Sequence, residues 1–242
     1  MEPKQKIYGI HPLNEALASG VPINKVYIQK DIHNERIAEL ISKLKLYKVP
    51  FQFVPREKLN RLTSKAHQGV IALTSPVEFE SIDQVLPGLF ESGETPMIAI
   101  MDGITDVRNF GAIARSAECF GIQALVFPSS GSAMLNADAL KSSAGALNKI
   151  HLCREINFNQ SLKLIKDSGL QLIACTEKAK KSVSEANFSV PTAIVLGAED
   201  EGIHPALLEL CDEQVKIPMT GAIQSLNVSV AAGIIFYEAR RS

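Results

Sequence analysis

The chain has 242 residues, of which 46% are hydrophobic, so it can form one large domain or two modest ones with separate cores. No apolar run approaches the roughly 18 residues of a membrane span, and MEPKQKIYGI at the start has no signal-peptide pattern, so we expect a soluble, cytoplasmic protein. The four cysteines form no C-x-x-C pair, so we expect no disulfides, no structural zinc and no other bound metal. The net charge of −1 by itself says nothing about nucleic acid, but it combines a basic front with an acidic remainder.

The first 75 residues alternate helical and strand patterns, which predicts a small α/β domain. They contain 12 Lys and Arg against 6 Asp and Glu, a net of +6, whereas the rest holds 13 against 20, a net of −7. A basic front predicts contact with a polyanion; the alternative is that these lysines belong to ordinary solvated helix faces. The predicted elements, in chain order, are a helix (HPLNEALASG), a strand (NKVYIQK), a helix (NERIAELISKLKLYKV), a strand (FQFVP), a short helix (REKLNRLTSK) and a strand (GVIALT).

A linker that contains at most one short helical segment is predicted over residues 76–95, because Pro87, Gly88 and Gly93 punctuate the segment and its charge turns acidic. Residues 96–242 then form a second domain. Its apolar runs are nearly continuous, as in strands buried on both faces, which predicts a mainly parallel sheet covered by helices. These runs are MIAIMD, ALVFP, LQLIACT, AIVLGAE and EQVKIPM.

Ligands of open α/β sheets bind beyond the carboxyl ends of the strands, so the segments after the apolar runs are the candidates for chemistry. Three of them are rich in glycine and polar residues: GITDVRNFGAIARSAECFG, AEDEGIHPALLELCD and TGAIQSLNVSV. The chain has no G-x-G-x-x-G, H-E-x-x-H or G-x-S-x-G motif, and GAEDEGIH lacks the lysine of a phosphate-binding loop. The usual dinucleotide site, zinc proteases and serine hydrolases therefore have no support.

Each of these segments contains a polar residue that either has a functional role or is an ordinary surface residue. Asn109 stands where a helix N-cap is expected. Arg115 lies on a slim helix of small residues, and its guanidinium either contacts a phosphate or ribose or forms an ion pair with Glu118. Glu199, just after a strand, either orients a polar group or is an ordinary loop carboxylate. At the C-terminal helix, Ser225 is the expected cap.

Three motifs in these segments, in order, resemble the SpoU/TrmH family of RNA ribose 2′-O-methyltransferases. They are NFGAIAR, LGAEDEG and IPMTGAIQSLNVSVA. IYGIHPLNEAL, HQGVIAL and LNADALKSSAGAL extend the resemblance to the bacterial enzymes that methylate a guanosine ribose of 23S rRNA. Val107 departs from the proline common at that position, and CTEKAK from a more glycine-rich loop.

The resemblance implies a fold, a cofactor and partners. The fold would be an α/β trefoil-knot methyltransferase domain of the SPOUT superfamily, preceded by a small α/β RNA-binding domain similar to ribosomal-protein-like substrate-binding domains. The cofactor would be S-adenosylmethionine, consumed as methyl donor. The partners would be rRNA, bound through the basic N-terminal domain, and a second copy of the chain, with the active site at the homodimer interface.

The resemblance also assigns roles to residues. Arg115 would contact the attacking hydroxyl, and because a guanidinium stays protonated, it would grip the ribose or its phosphate and stabilise alkoxide charge, with a phosphate or a water as proton acceptor. Asn109, Glu199 and Asn227 would be the other catalytic residues. The cofactor-binding residues would be Thr176, Leu196, Gly197, Gly202, Ile217, Pro218, Met219, Ser225 and Leu226.

Two alternatives stay open at this level. One is a tRNA ribose 2′-O-methyltransferase of the same family, against which the separate N-terminal domain argues. The other, from a different class, is a catalytically inactive RNA-binding or ribosome-assembly protein. It would show damage to Asn109, Arg115, Glu199 or Asn227, all of which are intact.

Overall fold

Two units make up the chain, Met1–Glu78 (unit 1) and Phe79–Ser242 (unit 2). The structure is a computed structural model that describes residues 6–32, 34–222 and 225–241. The division falls inside the segment predicted as a linker. No helix of the described ranges is both long enough and apolar enough to span a bilayer.

Unit 1 is a mixed four-stranded sheet with helices on both faces. Its strand order is β1-β4-β2-β3, in which β4 runs antiparallel to both neighbours and β3 pairs parallel with β2. Successive residues of β4 face opposite sides: Val70 and Ala72 pack under α1 and α2, and Ile71 packs with Leu59 of α3. The elements are β1 (Lys6–Tyr8), α1 (Ile10–Ala18), β2 (Ile23–Gln29), α2 (Glu35–Leu46), β3 (Phe51–Val54), α3 (Arg56–Leu62) and β4 (Val70–Thr74).

Unit 2 is built on a parallel sheet with the strand order β7-β6-β5-β10-β8-β11-β9. Every described strand pair in it is parallel, and every residue of β5 and β10 is buried, which confirms the prediction from the apolar runs. Two strands were not predicted, β7 and the two-residue β9. The elements are α4 (Ile82–Glu91), β5 (Met97–Met101), α5 (Val107–Cys119), β6 (Ala124–Pro128), α6 (Ala137–Ser142), β7 (His151–Glu155), α7 (Phe158–Asp167), β8 (Gln171–Cys175), β9 (Lys181–Ser182), β10 (Thr192–Leu196), α8 (Pro205–Leu208), β11 (Glu213–Lys216) and α9 (Val228–Arg241).

The prediction of a linker over residues 76–95 is wrong for most of this segment, because α4 lies within it and belongs to the core of unit 2. Its buried residues Val85, Leu86 and Leu89 pack with the sheet although Pro87 lies inside the helix. The buried carboxylate of Glu155 accepts a hydrogen bond from the Ile82 N–H at 2.7 Å and so secures the first turn. Burial of an apolar side chain contributes about 1.5–3 kcal/mol, enough for several of them to outweigh the cost of the proline.

Candidate functional site

The order of the parallel strands decides where the polar segments of unit 2 meet. β5, β10, β8 and β11 are consecutive in the sheet, so their carboxyl ends lie at one edge. A pocket opens at this edge, lined by residues that follow β8, β10 and β11 and by residues of α9. The rule that ligands bind beyond the carboxyl ends of such strands therefore points to this pocket.

The pocket contains most of the residues predicted to bind a cofactor. Eight of the nine line it, and Pro218 does not. The lining is mostly apolar or backbone, and its charged residues are Glu177, Glu199 and Lys216. The eight are Thr176, Leu196, Gly197, Gly202, Ile217, Met219, Ser225 and Leu226.

A closed loop forms one wall of the pocket. The N–H of Ala198 donates to the carbonyl of Gly202 at 3.0 Å, and the N–H of Gly202 donates back at 2.9 Å. A Cβ on Gly197 would lie 2.3 Å from the Gly202 carbonyl carbon, so no side chain fits there. Asp102, at the end of β5, accepts a hydrogen bond from the His204 N–H at 2.7 Å and holds the far end of the loop.

Asn227 joins the three motifs at the mouth of this edge. Its Nδ2 donates to Asn109 Oδ1 at 3.0 Å and to Glu199 Oε1. Its Oδ1 accepts from both the N–H and the hydroxyl of Ser229, at 2.9 and 2.5 Å. Three of the four predicted catalytic residues are therefore in direct contact, and the orientation of the Asn227 amide is determined by acceptors on one side and donors on the other.

The cap of α9 differs from the one expected. Asn227, not Ser225, caps this helix: its side chain accepts the Ser229 N–H and its carbonyl accepts the N–H groups of Val230 and Ala231. The prediction placed the cap two residues early because both residue types are good caps. The correction matters, since one side chain both starts α9 and holds the network.

The cap of α5 also differs from the one expected. Asp106 accepts the N–H groups of Arg108 and Asn109 at 2.8 and 2.9 Å, so Asn109 is the third helical residue and its side chain is available to Asn227. A carboxylate at a helix N-terminus also interacts favourably with the helix dipole.

The slim face of this helix is confirmed: a Cβ on Gly111 would lie 2.6 Å from the Ala139 carbonyl oxygen of α6.

Arg115 is the predicted catalytic residue that the chain does not bring into this network. Its side chain is exposed, does not line the pocket, and has no hydrogen bond or ion pair with the described residues. The pairing with Glu118 is wrong, because Glu118 forms its ion pair with Lys149 at 3.6 Å.

The thiol of Cys175, which lines the pocket, is held neutral. Burial and, secondarily, the neighbouring Cys211 raise its pKa well above the ordinary range, so it is not a thiolate nucleophile. All four cysteines are free thiols. No cluster of three or more metal-ligating side chains occurs in the part of the chain that the structure describes.

Two residues of the site were given no role at the sequence level, Ser229 and Asp102. Both residues position another residue of the site. Ser229 orients the amide of Asn227, and Asp102 holds the loop that carries Glu199. A signal existed for Ser229, which stands two residues after an asparagine, the spacing of a side-chain cap on a helix N–H. Nothing in the sequence around Asp102 pointed to a partner 102 residues away.

The segment that carries these three motifs matches a known protein family. Residues 96–237 match the model of the SpoU rRNA methylase family. The chain belongs to this family. Residues 6–80 match a second model, that of the RNA 2′-O ribose methyltransferase substrate-binding domain. The resemblance drawn from the motifs is thereby confirmed, and unit 1 contains most of the substrate-binding region.

Curated relatives match nearly the whole length of this chain. The chain is 35% identical over 237 residues to the 23S rRNA (guanosine-2′-O-)-methyltransferase RlmB of Photobacterium profundum. This alignment covers 97% of the chain and 96% of the relative. The chain is 34% identical over 235 residues to a Staphylococcus aureus protein named for the TrmH family of tRNA/rRNA methyltransferases, covering 97% and 95%. The solved SpoU methyltransferase AviRb of Streptomyces viridochromogenes, in complex with AdoMet, has a TM-score of 0.61 at 24% identity, covering 98% and 89%, and shares the fold.

Proposed function

We propose that this family member transfers a methyl group from S-adenosylmethionine to a ribose 2′-hydroxyl of RNA, at a guanosine of 23S rRNA. The observation that carries the proposal is the contact of Asn227 with Asn109 and Glu199 beside a pocket lined by backbone and apolar groups. The RlmB relative, named for this reaction, supports the guanosine of 23S rRNA.

The pocket fits the methyl donor in shape and charge. Gly197 has no room for a side chain beside the Gly202 backbone, so glycine allows the loop to close as a pocket wall, and Leu196, Ile217 and Leu226 supply apolar contacts. The carboxylates of Glu177 and Glu199 suit the sulfonium and ammonium groups of this ligand, and Lys216 suits its carboxylate. When bound, S-adenosylmethionine supplies a methyl group already activated by the positive sulfur. The residues proposed to hold it are the nine named above, Pro218 included.

The residues of the network position the nucleophile. Glu199, Asn109 and Asn227 form a rigid polar set that can hold a ribose in one orientation, which lowers the entropic part of the barrier. Arg115 grips the ribose or its phosphate and stabilises the negative charge that develops on the 2′-oxygen. A guanidinium suits this role because it remains charged and cannot act as the base.

A homodimer completes the proposal. Val230, Ile234 and Tyr237 are 50%, 39% and 55% exposed and follow one another at helical spacing on α9, an apolar stripe suited to a second copy. Arg115, free of the network within one chain, is available to a site shared between copies. Sedimentation should show a dimer; Ile234→Glu should give a monomer without methyl transfer, and a fully active monomer would contradict the shared site.

The trefoil knot belongs to the same proposal. In support of it, α9 follows the last strand in the chain yet lines the same pocket as the segments after β8, β10 and β11. It also packs on α5, where Gly233 faces Ser116. Unit 1 is proposed to bring the RNA, because its net basic charge favours phosphate contacts.

A tRNA ribose is the second candidate substrate, favoured by the Staphylococcus aureus relative, whose name includes both RNAs. The deciding experiment measures methyl transfer from labelled S-adenosylmethionine to purified 23S rRNA and to tRNA, and maps 2′-O-methyl sites in cells with and without the gene. We expect one guanosine of 23S rRNA to lose its methyl group in the deletion. Transfer to tRNA alone would overturn the rRNA substrate, and no transfer to either would overturn the activity.

A further inference from the structure

Unit 1 contains a cleft that the proposed chemistry does not use. It lies between α3 and the loop 63–69 and has a volume of about 750 Å³, within the range of small-ligand sites. We call it the α3 cleft. Its polar lining residues include Gln29, Arg56, Asn60, Thr63, Lys65 and Gln68.

The base of the α3 cleft is preformed. His67 is buried, and its Nδ1 accepts the N–H of Gly69 at 3.0 Å, so its proton is on Nε2, which donates to Asn60 Oδ1 at 2.9 Å. The neutral imidazole thereby ties the loop to α3. Gly69, at φ +80°, packs so closely that a Cβ would lie 2.1 Å from Ile32 Cδ1. A ligand would therefore meet an existing surface rather than order a free loop.

The charge of the α3 cleft is of one sign. Arg56 and Lys65 line it, and no carboxylate does so among the described residues. The ammonium of Lys65 lies 5.3 Å from the centroid of the Tyr8 ring, which holds the cation near the cleft without neutralising it. The exposed guanidinium of Arg56 has no ion-pair partner in the described ranges. The chemistry suits a ligand with phosphates.

The remaining groups suit a nucleobase. Gln29 and Gln68 carry amides that both donate and accept, as the edges of bases require. Gln68 has φ +49°, an uncommon conformation for a residue other than glycine, and this exposed residue lines the cleft. A paired base would keep its edge inside a helix, so a concave site with amides fits an unpaired nucleotide better than a duplex.

We propose that the α3 cleft receives one unpaired nucleotide of the RNA, with Arg56 and Lys65 on its flanking phosphates and Gln29 and Gln68 on its base. The inference rests on the proposed function, because it takes RNA as the substrate. It goes further by naming a base-reading site in place of a diffuse basic surface.

The test compares two double variants of the full chain that remove the same charge. Arg56→Gln with Lys65→Gln changes the cleft. Arg36→Gln with Lys45→Gln removes two exposed cations from α2, on the opposite face of the sheet. Binding of a fluorescein-labelled 12-nucleotide single-stranded RNA, and of a duplex of the same length, is measured by anisotropy over a series of salt concentrations.

We expect the cleft variant to bind the single strand about tenfold more weakly and to reduce the salt slope of log K by about 1.4, the value for two lost phosphate contacts. The α2 variant should lose less than about twofold, and duplex binding should not separate the two variants. Gln68→Ala should weaken single-strand binding about threefold with the salt slope unchanged.

Equal losses in the two double variants would overturn the proposal in favour of diffuse attraction, and so would a cleft variant that binds like the wild type. Methyl transfer by the wild type is measured on the same preparations. If transfer is absent while the cleft variant alone loses RNA affinity, the proposed activity fails and the nucleotide site stands. Circular dichroism of each variant shows whether it is folded.

Discussion

Unit 1 and unit 2 present polar sites of opposite construction. The α3 cleft of unit 1 relies on exposed side chains, two of them cations, which act largely independently. The edge of unit 2 relies on backbone without room for a side chain and on an amide whose every polar atom is engaged. Each substitution in the α3 cleft should therefore lower RNA affinity by its own separate amount. A single substitution at the edge of unit 2 should disturb several hydrogen-bonded residues at once.

The largest effect that the comparison predicts is at Arg115. Arg115→Ala should lower the rate of methyl transfer by about 10³-fold, because the developing negative charge loses its partner, while affinity for S-adenosylmethionine changes less than about twofold. Single-turnover kinetics and calorimetry measure the two quantities. Arg36→Ala in unit 1 is the control and should keep the wild-type rate. A normal rate in Arg115→Ala would remove this residue from the reaction.

Removing unit 1 comes next in size. A chain that lacks residues 1–75 should bind RNA about 10²-fold more weakly, because the net positive charge of that segment is lost, and should bind S-adenosylmethionine as the full chain does. Gel-shift titration with 23S rRNA fragments and calorimetry with the cofactor test the two halves. Unchanged RNA binding would mean that unit 2 attracts RNA by itself.

A smaller effect is expected at Gly197. Gly197→Ala forces a Cβ to within 2.3 Å of the Gly202 backbone, and overpacking of this kind costs about 1–3 kcal/mol. Affinity for S-adenosylmethionine should fall about 30-fold, with RNA affinity retained. Gly88→Ala in α4, where a Cβ meets nothing within 4 Å, is the matched control. Wild-type cofactor affinity in Gly197→Ala would show that the loop is not part of the cofactor site.

The smallest effect distinguishes orientation from contact. Ser229→Ala removes the hydroxyl bond to Asn227 Oδ1 but leaves the backbone bond, so the turnover rate should fall about tenfold with little change in KM. Ser229→Thr keeps the hydroxyl and should restore most of the rate. If threonine fails to rescue and the melting temperature falls equally in both variants, Ser229 only supports the helix.

The sequence predicts the parallel sheet of unit 2 well because β5 and β10 are uninterrupted apolar runs with one physical explanation. It misses β7, whose residues HLCRE mix charged and apolar side chains, and it misses α4 because Pro87 and Gly88 are local helix breakers. In both elements, burial in the assembled unit outweighs the local preference.

The site follows the same division. The three motifs follow predicted strands of a parallel sheet and were therefore expected at one edge, and the family resemblance grouped Asn109, Glu199 and Asn227 in advance. Which residue caps α5 could not, because Asp106 and Asn109 are both good caps and only the first helical turn separates them. The separation of Arg115 from the network is a property of the folded chain that its motif does not contain.

Asn227 caps α9 and holds the network with one side chain, which makes the assembly of the site visible to hydrogen exchange. The amide proton of Ser229 is donated to Asn227 Oδ1, and it can exchange with solvent only when that bond opens. Its protection therefore measures how often the cap opens at the side chain that also donates to Asn109 and Glu199. A site whose local opening can be timed at a single backbone proton allows preorganisation to be measured before any RNA or cofactor is added.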